Sequence, residues 1–209
     1  TDGGASVYLT TPGGNIGSVR AELMAATRRS DARRLWDLSP VVHIEELPRT
    51  SVAASWNKAI QMTRDWNKPG YMGVTGDDVV FQRDTLRNLV AEADSHPDAL
   101  FVYPRVMASQ MFCVYLAKQA VFDRVGRFDE RFFPAYFEDN DFCRRMRLAG
   151  IEPMPVDGEG YLHDVSSTLQ KFNPAEMEEH HTQFRENERK YVAKWGGLPG
   201  HEIYDTPMA

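Results

Sequence analysis

The chain has 209 residues, enough for one domain with a sizeable hydrophobic core, or for one domain with an appendage. Its composition is that of an ordinary globular protein, with 11% aromatic residues and no low-complexity tract. The net charge of -6 argues against a nucleic-acid-binding protein that relies on a broad basic surface, and no nucleic acid is expected as a partner. The charge still allows a small anionic ligand held through a metal ion and backbone amides.

Targeting signals and redox motifs are missing from the sequence. No apolar run approaches the length of a membrane span and the N-terminus lacks a signal-peptide pattern, so we expect a soluble, cytoplasmic protein. Cys113 and Cys143 do not have CxxC spacing, which makes a redox or zinc role improbable. Buried free thiols are the expectation.

The first half of the chain alternates predicted strands and helices. Residues 5–11 read as a strand, a Pro-Gly-Gly-Asn turn breaks it, and a helix follows from about residue 16 to residue 29. The next elements are a strand at 41–46, a helix capped by Ser51 that runs to about residue 63, a strand leading to residue 75, a helix at 85–93 and a strand at 99–103. This alternation predicts an α/β domain with a mostly parallel central sheet and right-handed crossovers.

Two adjacent acids, Asp77 and Asp78, follow Gly76 where the third of these strands ends. Carboxylates at the C-terminal end of a parallel strand lie on the ligand-binding edge of an open α/β sheet. Two crowded carboxylates repel each other, and a divalent cation is the usual relief. The pair therefore predicts a metal that in turn holds a diphosphate; a plain Gly-Asp turn is the alternative.

The end of the first strand is a second candidate contact for a nucleotide. Thr10, Thr11 and Pro12 lead into a Gly-rich turn that precedes a helix, an arrangement able to bind anions. The glycines match neither a dinucleotide fingerprint nor a P-loop, so a plain turn is the alternative here too.

The second half is richer in aromatic residues. We predict a strand at 111–116, a short helix at 117–125 and then an aromatic connection, residues 127–137, pinned onto the core. A helix follows from Glu138 to about Ala149, with acids in its first turn that favour the helix dipole, so that capping alone explains some of them. Short strands at 152–156 and 160–163, a charged surface helix from Asn173 to about Ala193 and an irregular tail complete the chain.

Four stretches of the sequence resemble glycosyltransferase family 2, the inverting GT-A-fold enzymes that use nucleotide-sugar donors. They are residues 55–60, residues 75–79, residues 126–133 together with 138–145, and residues 161–163 with Ser166 and Ser167. The third stretch resembles the family's "GxFDExFF…EDxDxxxR" signature and is the most specific. The likeness spans roughly residues 5–168 and implies a single GT-A-type, Rossmann-like domain. Its donor half covers about 1–103, its acceptor and catalytic half about 104–172, and a C-terminal helix and tail about 173–209.

The resemblance implies a metal-dependent transferase that moves a sugar from a nucleoside-diphosphate sugar, with UDP as the expected nucleotide. Asp78 is implied as a direct metal ligand, Asp77 as a direct or water-mediated ligand and His163 as a third ligand. Such oxygen and imidazole ligation suits Mn²⁺ well and Mg²⁺ acceptably. Asp139 is implied as the general base in a single inverting displacement, while Glu138 raises its proton affinity or positions the acceptor.

The sequence also departs from the family pattern. Relatives carry an Asp after the second strand that contacts the nucleotide base, whereas Glu45 and Glu46 stand here, so the base identity is open. The first acid of the DxD motif is absent, since Thr75 and Gly76 precede the acid pair. Asn57, in the first of the four stretches, is expected among the nucleotide contacts.

The acceptor is a glycan, lipid or protein hydroxyl that the sequence does not identify, and the oligomeric state is equally open. Tyr136, Phe137 and Trp195 are candidates for stacking on a sugar, with core packing as the alternative. Two other functions compete with the transferase. A nucleotidyltransferase would be expected to carry a basic Gly-rich loop, which the turn at 12–15 lacks. The second competing function is that of a sugar-nucleotide-binding protein without catalytic activity.

Overall fold

The computed structural model describes residues 6–12, 42–47, 51–65, 71–75, 79–81, 85–105, 111–157, 161–163 and 172–208. For residues 6–12, 42–47, 62–65, 75, 79–81, 86–87 and 161–163 the description covers the backbone alone. The predicted helix at 16–29, the Gly-rich turn, Asp77 and Asp78 lie outside the described residues.

The described elements follow the predicted order closely. The strands are β1 Ser6–Pro12, β2 Val42–Leu47, β3 Tyr71–Thr75, β4 Val79–Phe81, β5 Phe101–Pro104, β6 Val114–Lys118, β7 Met154–Val156 and β8 Tyr161–His163. The helices are α1 Val52–Asp65, α2 Thr85–Ser95, α3 Gln119–Val125, α4 Glu138–Leu148 and α5 Pro174–Trp195. The strand β4, three residues long, is an element that the sequence did not predict.

Side chains at the helix starts account for two of the boundaries. Before α1, the hydroxyl of Ser51 accepts a hydrogen bond from the backbone N–H of Ala54 at 3.1 Å. Before α5, Asn173 accepts from two backbone N–H groups while Glu176 accepts from the Asn173 N–H, and Pro174 takes the first helical position. This is a complete capping box, so α5 begins where the sequence predicts.

Six strands form one sheet in the order β2-β1-β3-β6-β5-β7. The pairs β1–β2, β1–β3 and β5–β7 are parallel, while β6 is antiparallel to both of its neighbours. All of these strands except β6 therefore run in one direction, which confirms the predicted α/β fold with a mostly parallel sheet. A second, two-stranded sheet pairs β4 with β8.

The core lies on both faces of the sheet, and β6 shows how the sequence builds it. Tyr115 and Ala117 face one buried cluster and Val114 and Leu116 face the other, as the two-residue period of a strand requires. The first cluster joins the sheet to α1, α3, α4 and the aromatic connection. Its rings include a stacked pair, Phe128 and Phe142, with centroids 4.1 Å apart.

The helix α5 is a surface helix, as its charge predicts, but it also has a buried face. Asn187, Tyr191, Lys194 and Trp195 are buried. These positions recur every three or four residues and so share one face, while the exposed charges occupy the rest of the helix. Tyr191 and Trp195 form a third apolar cluster with Phe132 and Phe137 of the aromatic connection.

The tail at 196–208 is irregular, as predicted, and folds back over the end of α5. The backbone N–H groups of Ile203 and Tyr204 donate to the Trp195 carbonyl. Gly196 makes this possible: its φ is +77°, and a Cβ there would meet Cγ1 of Ile203 at 2.4 Å.

Both cysteines are free thiols, Cys143 being buried and Cys113 half-buried. In the described part of the chain no helix has the length and apolarity needed to cross a membrane.

Candidate functional site

The strand register brings the predicted nucleotide contacts to one edge of the sheet. Thr10 of β1 pairs with Glu45 of β2, and Thr11 pairs with Glu46. On the other side of β1, Leu9 pairs with Thr75, the residue that ends β3 before the acid turn. The carboxyl ends of these three parallel strands thus lie at one edge of the sheet, with β2 and β3 on opposite sides of β1. Open α/β sheets bind ligands at such a position.

The small sheet relates the predicted third metal ligand to the acid turn. His163 of β8 pairs with Val79 of β4, and Val79 is the residue that follows Asp78. The backbone of His163 therefore lies beside the end of the turn that carries the two acids. Two carboxylates and an imidazole form a donor set that suits Mn²⁺, so the residues present fit a metal site. Among the side chains that the structure describes, which exclude these three, no group of acidic, histidine or cysteine residues could hold a metal ion.

The helix α4 packs against the sheet through the first buried cluster. Phe142, one turn after Glu138, packs against Phe112 with ring centroids 6.1 Å apart. Phe112 lies just before β6, whose first residue, Val114, pairs with Thr75. These contacts fix α4 against the core next to the start of β6, with Glu138 and Asp139 in its first turn.

Glu138 is buried, with 4% of its surface exposed, and its Oε2 has no hydrogen-bond partner. Burial, together with the charge of Asp139, raises the pKa of Glu138 to about 8. Asp139 is half-buried, and its Oδ1 accepts a hydrogen bond from the backbone N–H of Asn140 at 2.8 Å. Burial raises the pKa of Asp139 as well, although backbone hydrogen bonds oppose the shift. Within the described part of the chain neither acid pairs with a cation, and the N-cap position belongs to Phe137.

Asp141, in the same signature, has a different environment. It is fully buried, and its Oδ2 receives Nε of Arg145 at 2.9 Å. Its Oδ1 receives Nε1 of Trp195 at 2.9 Å and Nζ of Lys194 at 2.6 Å. Because its oxygens are saturated by protein donors, Asp141 stabilises the fold and is not available for chemistry. The signature therefore divides into a structural part, Asp141 and Arg145, and an unpaired part, Glu138 and Asp139.

The backbone just before Glu138 is strained. Tyr136 and Phe137 adopt left-handed φ values of 75° and 72°. For residues other than glycine this conformation costs on the order of 1–3 kcal/mol each, and it persists where surrounding contacts impose it. The side chain of Asn187 supplies such contacts: its Nδ2 donates to the carbonyls of Phe133 at 3.1 Å and Ala135 at 2.9 Å. The strain lies directly beside the unpaired acids.

Asn57 occupies a position other than the one expected. The amide is 4% exposed, and its Nδ2 donates to the carbonyl of Phe128 at 2.9 Å and to Oε1 of Glu130 at 2.8 Å. Its Oδ1 accepts from the N–H of Phe128 at 2.8 Å. Both amide hydrogens are thus donated within the protein, and Asn57 holds the aromatic connection against α1. This structural role replaces the predicted nucleotide contact.

The three candidate sugar-stacking residues separate by exposure. Trp195 is fully buried and Phe137 is 6% exposed, so both are core residues. Tyr136 is 38% exposed and contacts His180 and Phe184 of α5, with ring centroids 5.3 Å and 5.4 Å away. Tyr136 lies two residues before Glu138 in the chain, and besides burial the charges of Glu138 and Asp139 raise its pKa. Tyr136 is therefore the one of the three that presents a ring beside the acid pair.

Sequence reasoning missed the contribution of α5 to this region. Asn187, Lys194 and Trp195 all contact the aromatic connection or α4, and none was predicted to do so. The signal was present as a helical stripe of large or amide side chains at positions 184, 187, 191 and 195.

Comparisons with known sequences return no relatives. No protein-family model matches the chain, and no curated protein matches it either.

Comparisons with solved structures do find similar folds. A mannosyltransferase from Pyrobaculum calidifontis, in complex with GDP-Man and Mn²⁺, matches with a TM-score of 0.61 and 13% identity; the match covers 94% of this chain and 66% of that one. A mutant of Drosophila β-1,4-galactosyltransferase 7, in complex with manganese, UDP-Gal and xylobiose, matches with a TM-score of 0.54 and 17% identity over 83% of this chain and 78% of that one. TarS residues 1–349 from S. aureus match with a TM-score of 0.54 and 12% identity over 88% and 71% of the two chains. These likenesses show that the chain has the fold of GT-A-type glycosyltransferases, the fold that its sequence predicts.

Proposed function

We propose that this chain is a metal-dependent glycosyltransferase that moves a sugar from a nucleoside-diphosphate sugar to an acceptor hydroxyl. One observation carries the proposal: in a chain with this fold, Glu138 and Asp139 stand in the first turn of α4 with no cationic partner among the described residues. Leaving such carboxylates buried without partners costs stability, which is typical of groups retained for chemistry. The fold neighbours that bind Mn²⁺ with UDP-Gal or GDP-Man support the same class of donor.

The donor is assigned to the half of the domain built from β1, β2 and β3. Asp78, Asp77 and His163 are proposed to hold Mn²⁺ or Mg²⁺, and the pairing of His163 with Val79 supports this set. A divalent cation at this position neutralises charge on the diphosphate of the donor. Thr10, Thr11 and Pro12 lie on the same edge as possible partners of the nucleotide, and Glu45 pairs beside them. UDP is the nucleotide that we expect.

Asp139 is proposed as the general base. It is more accessible than Glu138, and its raised pKa makes it a stronger base for the proton of the acceptor hydroxyl. Glu138, with a pKa of about 8, is mostly protonated at neutral pH, so it can stay buried beside Asp139 without a second negative charge. Loss of the proton to Asp139 lets the acceptor oxygen attack the anomeric carbon in line with the departing diphosphate, and this single displacement inverts that carbon.

The acceptor is proposed to be a glycan. Of the glycan, lipid and protein hydroxyls that the sequence left open, a sugar is favoured by the exposed ring of Tyr136, two residues before Glu138 in the chain. An aromatic face provides flat apolar area against which the C–H face of a sugar ring can pack. His180 and Phe184 extend this surface along α5.

A thermal-shift screen of nucleotide sugars, each with and without Mn²⁺, tests the proposal. A cognate donor at 100 times its Kd stabilises the folded state by about 2.7 kcal/mol, and the shift should require the metal. The Asp78→Ala variant should lose the shift, while Asp139→Asn should keep it and lose transfer to the acceptor.

A protein that binds no nucleotide sugar would contradict the proposal. Metal-dependent binding with equal transfer by Asp139→Asn and wild type would reject Asp139 as the base, and binding of nucleoside triphosphates alone would favour the nucleotidyltransferase.

A further inference from the structure

The helix α5 holds the segment that delivers the acid pair. The side chain of Asn187 has no exposed surface, and its Nδ2 donates to the carbonyls of Phe133 and Ala135, with the Tyr136 carbonyl at 3.5 Å. Its Oδ1 accepts from Nζ of Lys190 at 3.0 Å, and the same ammonium donates to the Arg131 carbonyl at 2.8 Å. A single amide therefore binds the backbone leading into the strained turn.

The neighbours of Asn187 on α5 bind the segment on either side of that turn. The ring of Phe137 packs between Phe184 and Tyr191, with centroids 5.2 Å and 5.6 Å away. One further turn along, Lys194 and Trp195 bind Asp141 of α4. The three residues between these attachments are Glu138, Asp139 and Asn140, so one face of α5 determines where the acid pair lies.

We propose that Asn187 is a positioning residue for the acid pair: its hydrogen bonds hold Tyr136 and Phe137 in their left-handed conformation and so keep Glu138 buried beside Asp139. The catalytic consequence rests on the proposed function, because only a reaction that uses Asp139 is sensitive to its placement. The consequence for Glu138 itself does not depend on any reaction. Without the amide, the three carbonyls lose their donor and the turn relaxes toward ordinary backbone angles.

The first experiment measures the titration of the Glu138 carboxyl by ¹³C NMR in the metal-free protein. Asp139 and Tyr136 are the titratable groups described as interacting with Glu138, and neither is altered. In Asn187→Ala, Glu138 should titrate at a lower pH than in wild type, since relaxation of the turn exposes it to water. Asn187→Ser, which keeps one donor, should give an intermediate value. Tyr191→Phe is the matched control on the same face of α5. It loses the hydrogen bond from the Tyr191 hydroxyl to Glu202 but none of the bonds to the three carbonyls. Glu138 should therefore titrate at the same pH in this variant as in wild type.

The second experiment measures steady-state kinetics of the same variants with the donor found in the screen. Misplacement of a reacting group by about 1 Å can cost about 100-fold, so kcat should fall on the order of 10- to 100-fold in Asn187→Ala. The KM for the donor should stay within about twofold, because the hydrogen-bond partners described for the amide lie on the aromatic connection and α5 and not on β1 or β2. Glu186→Gln, an exposed neighbour on α5, should keep the wild-type kcat.

An unchanged Glu138 titration in folded Asn187→Ala and Asn187→Ser would overturn the positioning role. So would a fall in kcat no larger than that of Tyr191→Phe at equal loss of melting temperature. If no nucleotide sugar is turned over at all, the proposed function fails, while the titration still decides whether Asn187 positions the acids.

Discussion

The indole Nε1 of Trp195 donates a hydrogen bond of 2.9 Å to Oδ1 of Asp141, and both side chains are fully buried. Lys194 binds the same oxygen, and Arg145 binds the other. This carboxylate anchors the C-terminal helix to α4 just after the unpaired acids. The saturation of Asp141 is what leaves Glu138 and Asp139 as the candidates for chemistry in the signature.

Replacing Asp141 with Asn should destabilise the protein strongly. The variant keeps the shape of the side chain but leaves Arg145 without its counter-charge and Lys194 with Asp129 alone, both cations being at least four-fifths buried. Breaking a buried ion pair in this way costs on the order of 3 kcal/mol, measured as a change in the free energy of unfolding by urea. Asp205→Asn is the control, because the Asp205 side chain is 87% exposed and its pair with Arg144 should contribute about 0–1 kcal/mol. Equal losses in the two variants would contradict the structural role of Asp141.

Stability should depend on the titration of Glu138 in the metal-free protein. Its pKa is about 8 in the folded state against 4.5 for an ordinary glutamate, so between these values the folded state binds more protons than the unfolded state. Stability is therefore highest below pH 4.5 as far as this group is concerned, and it falls as the pH rises toward 8. Thermal melts at intervals across this range measure the slope. Glu138→Gln should flatten it, and a slope identical to that of wild type would show that the glutamate is not held protonated.

His163→Ala should weaken Mn²⁺ binding. Loss of groups that merely support a metal ligand costs about 10- to 100-fold in affinity, so loss of a ligand should cost at least as much. Titration calorimetry with Mn²⁺ at pH 7.5 measures the change. His201→Ala, an exposed histidine in the tail, provides the comparison. If the two variants bind the ion as tightly as wild type, His163 is not a ligand and the pairing with Val79 is only structural.

Tyr136→Ala should impair use of the acceptor more than use of the donor. Loss of an aromatic contact costs about 0.5–1.5 kcal/mol, which corresponds to a roughly two- to tenfold rise in the acceptor KM. Tyr136→Phe keeps the ring and should retain most of the acceptor affinity, which separates stacking from a role of the hydroxyl. Initial rates with each substrate varied in turn give both constants. A larger change in the donor KM than in the acceptor KM would show that Tyr136 contacts the donor and not the acceptor.

The element order was predictable because its signals are local. Alternation of apolar residues, Ser51 and the Asn173-Pro174 start each depend on a few neighbouring positions, and the strands and helices lie within a few residues of where these signals place them. The chain direction of β6 was not predictable in this way. It depends on which strands become neighbours, and that choice is made by packing across the whole sheet.

The errors concern polar residues whose partners are remote in sequence. Asn57 was expected to contact a nucleotide because its helix resembles a family segment, but its amide bonds to Phe128 and Glu130, more than seventy residues away. The burial of Asn187 and Lys194 on one face of α5 was not predicted, since such residues are rarely buried unless they are paired. Their partners are backbone carbonyls and a carboxylate that only the folded chain brings within reach.

The pairing of β4 with β8 also determines at what stage of synthesis the proposed metal site can form. The strand after the acid turn is completed only by residues 161–163, which leave the ribosome long after β1, β2 and β3. A fragment that ends near residue 103 contains both acids but lacks His163 and the strand that pairs with β4. Under the proposed function, such a fragment should not form the complete metal site, and metal binding should begin only after the second half of the chain has been synthesised and folded.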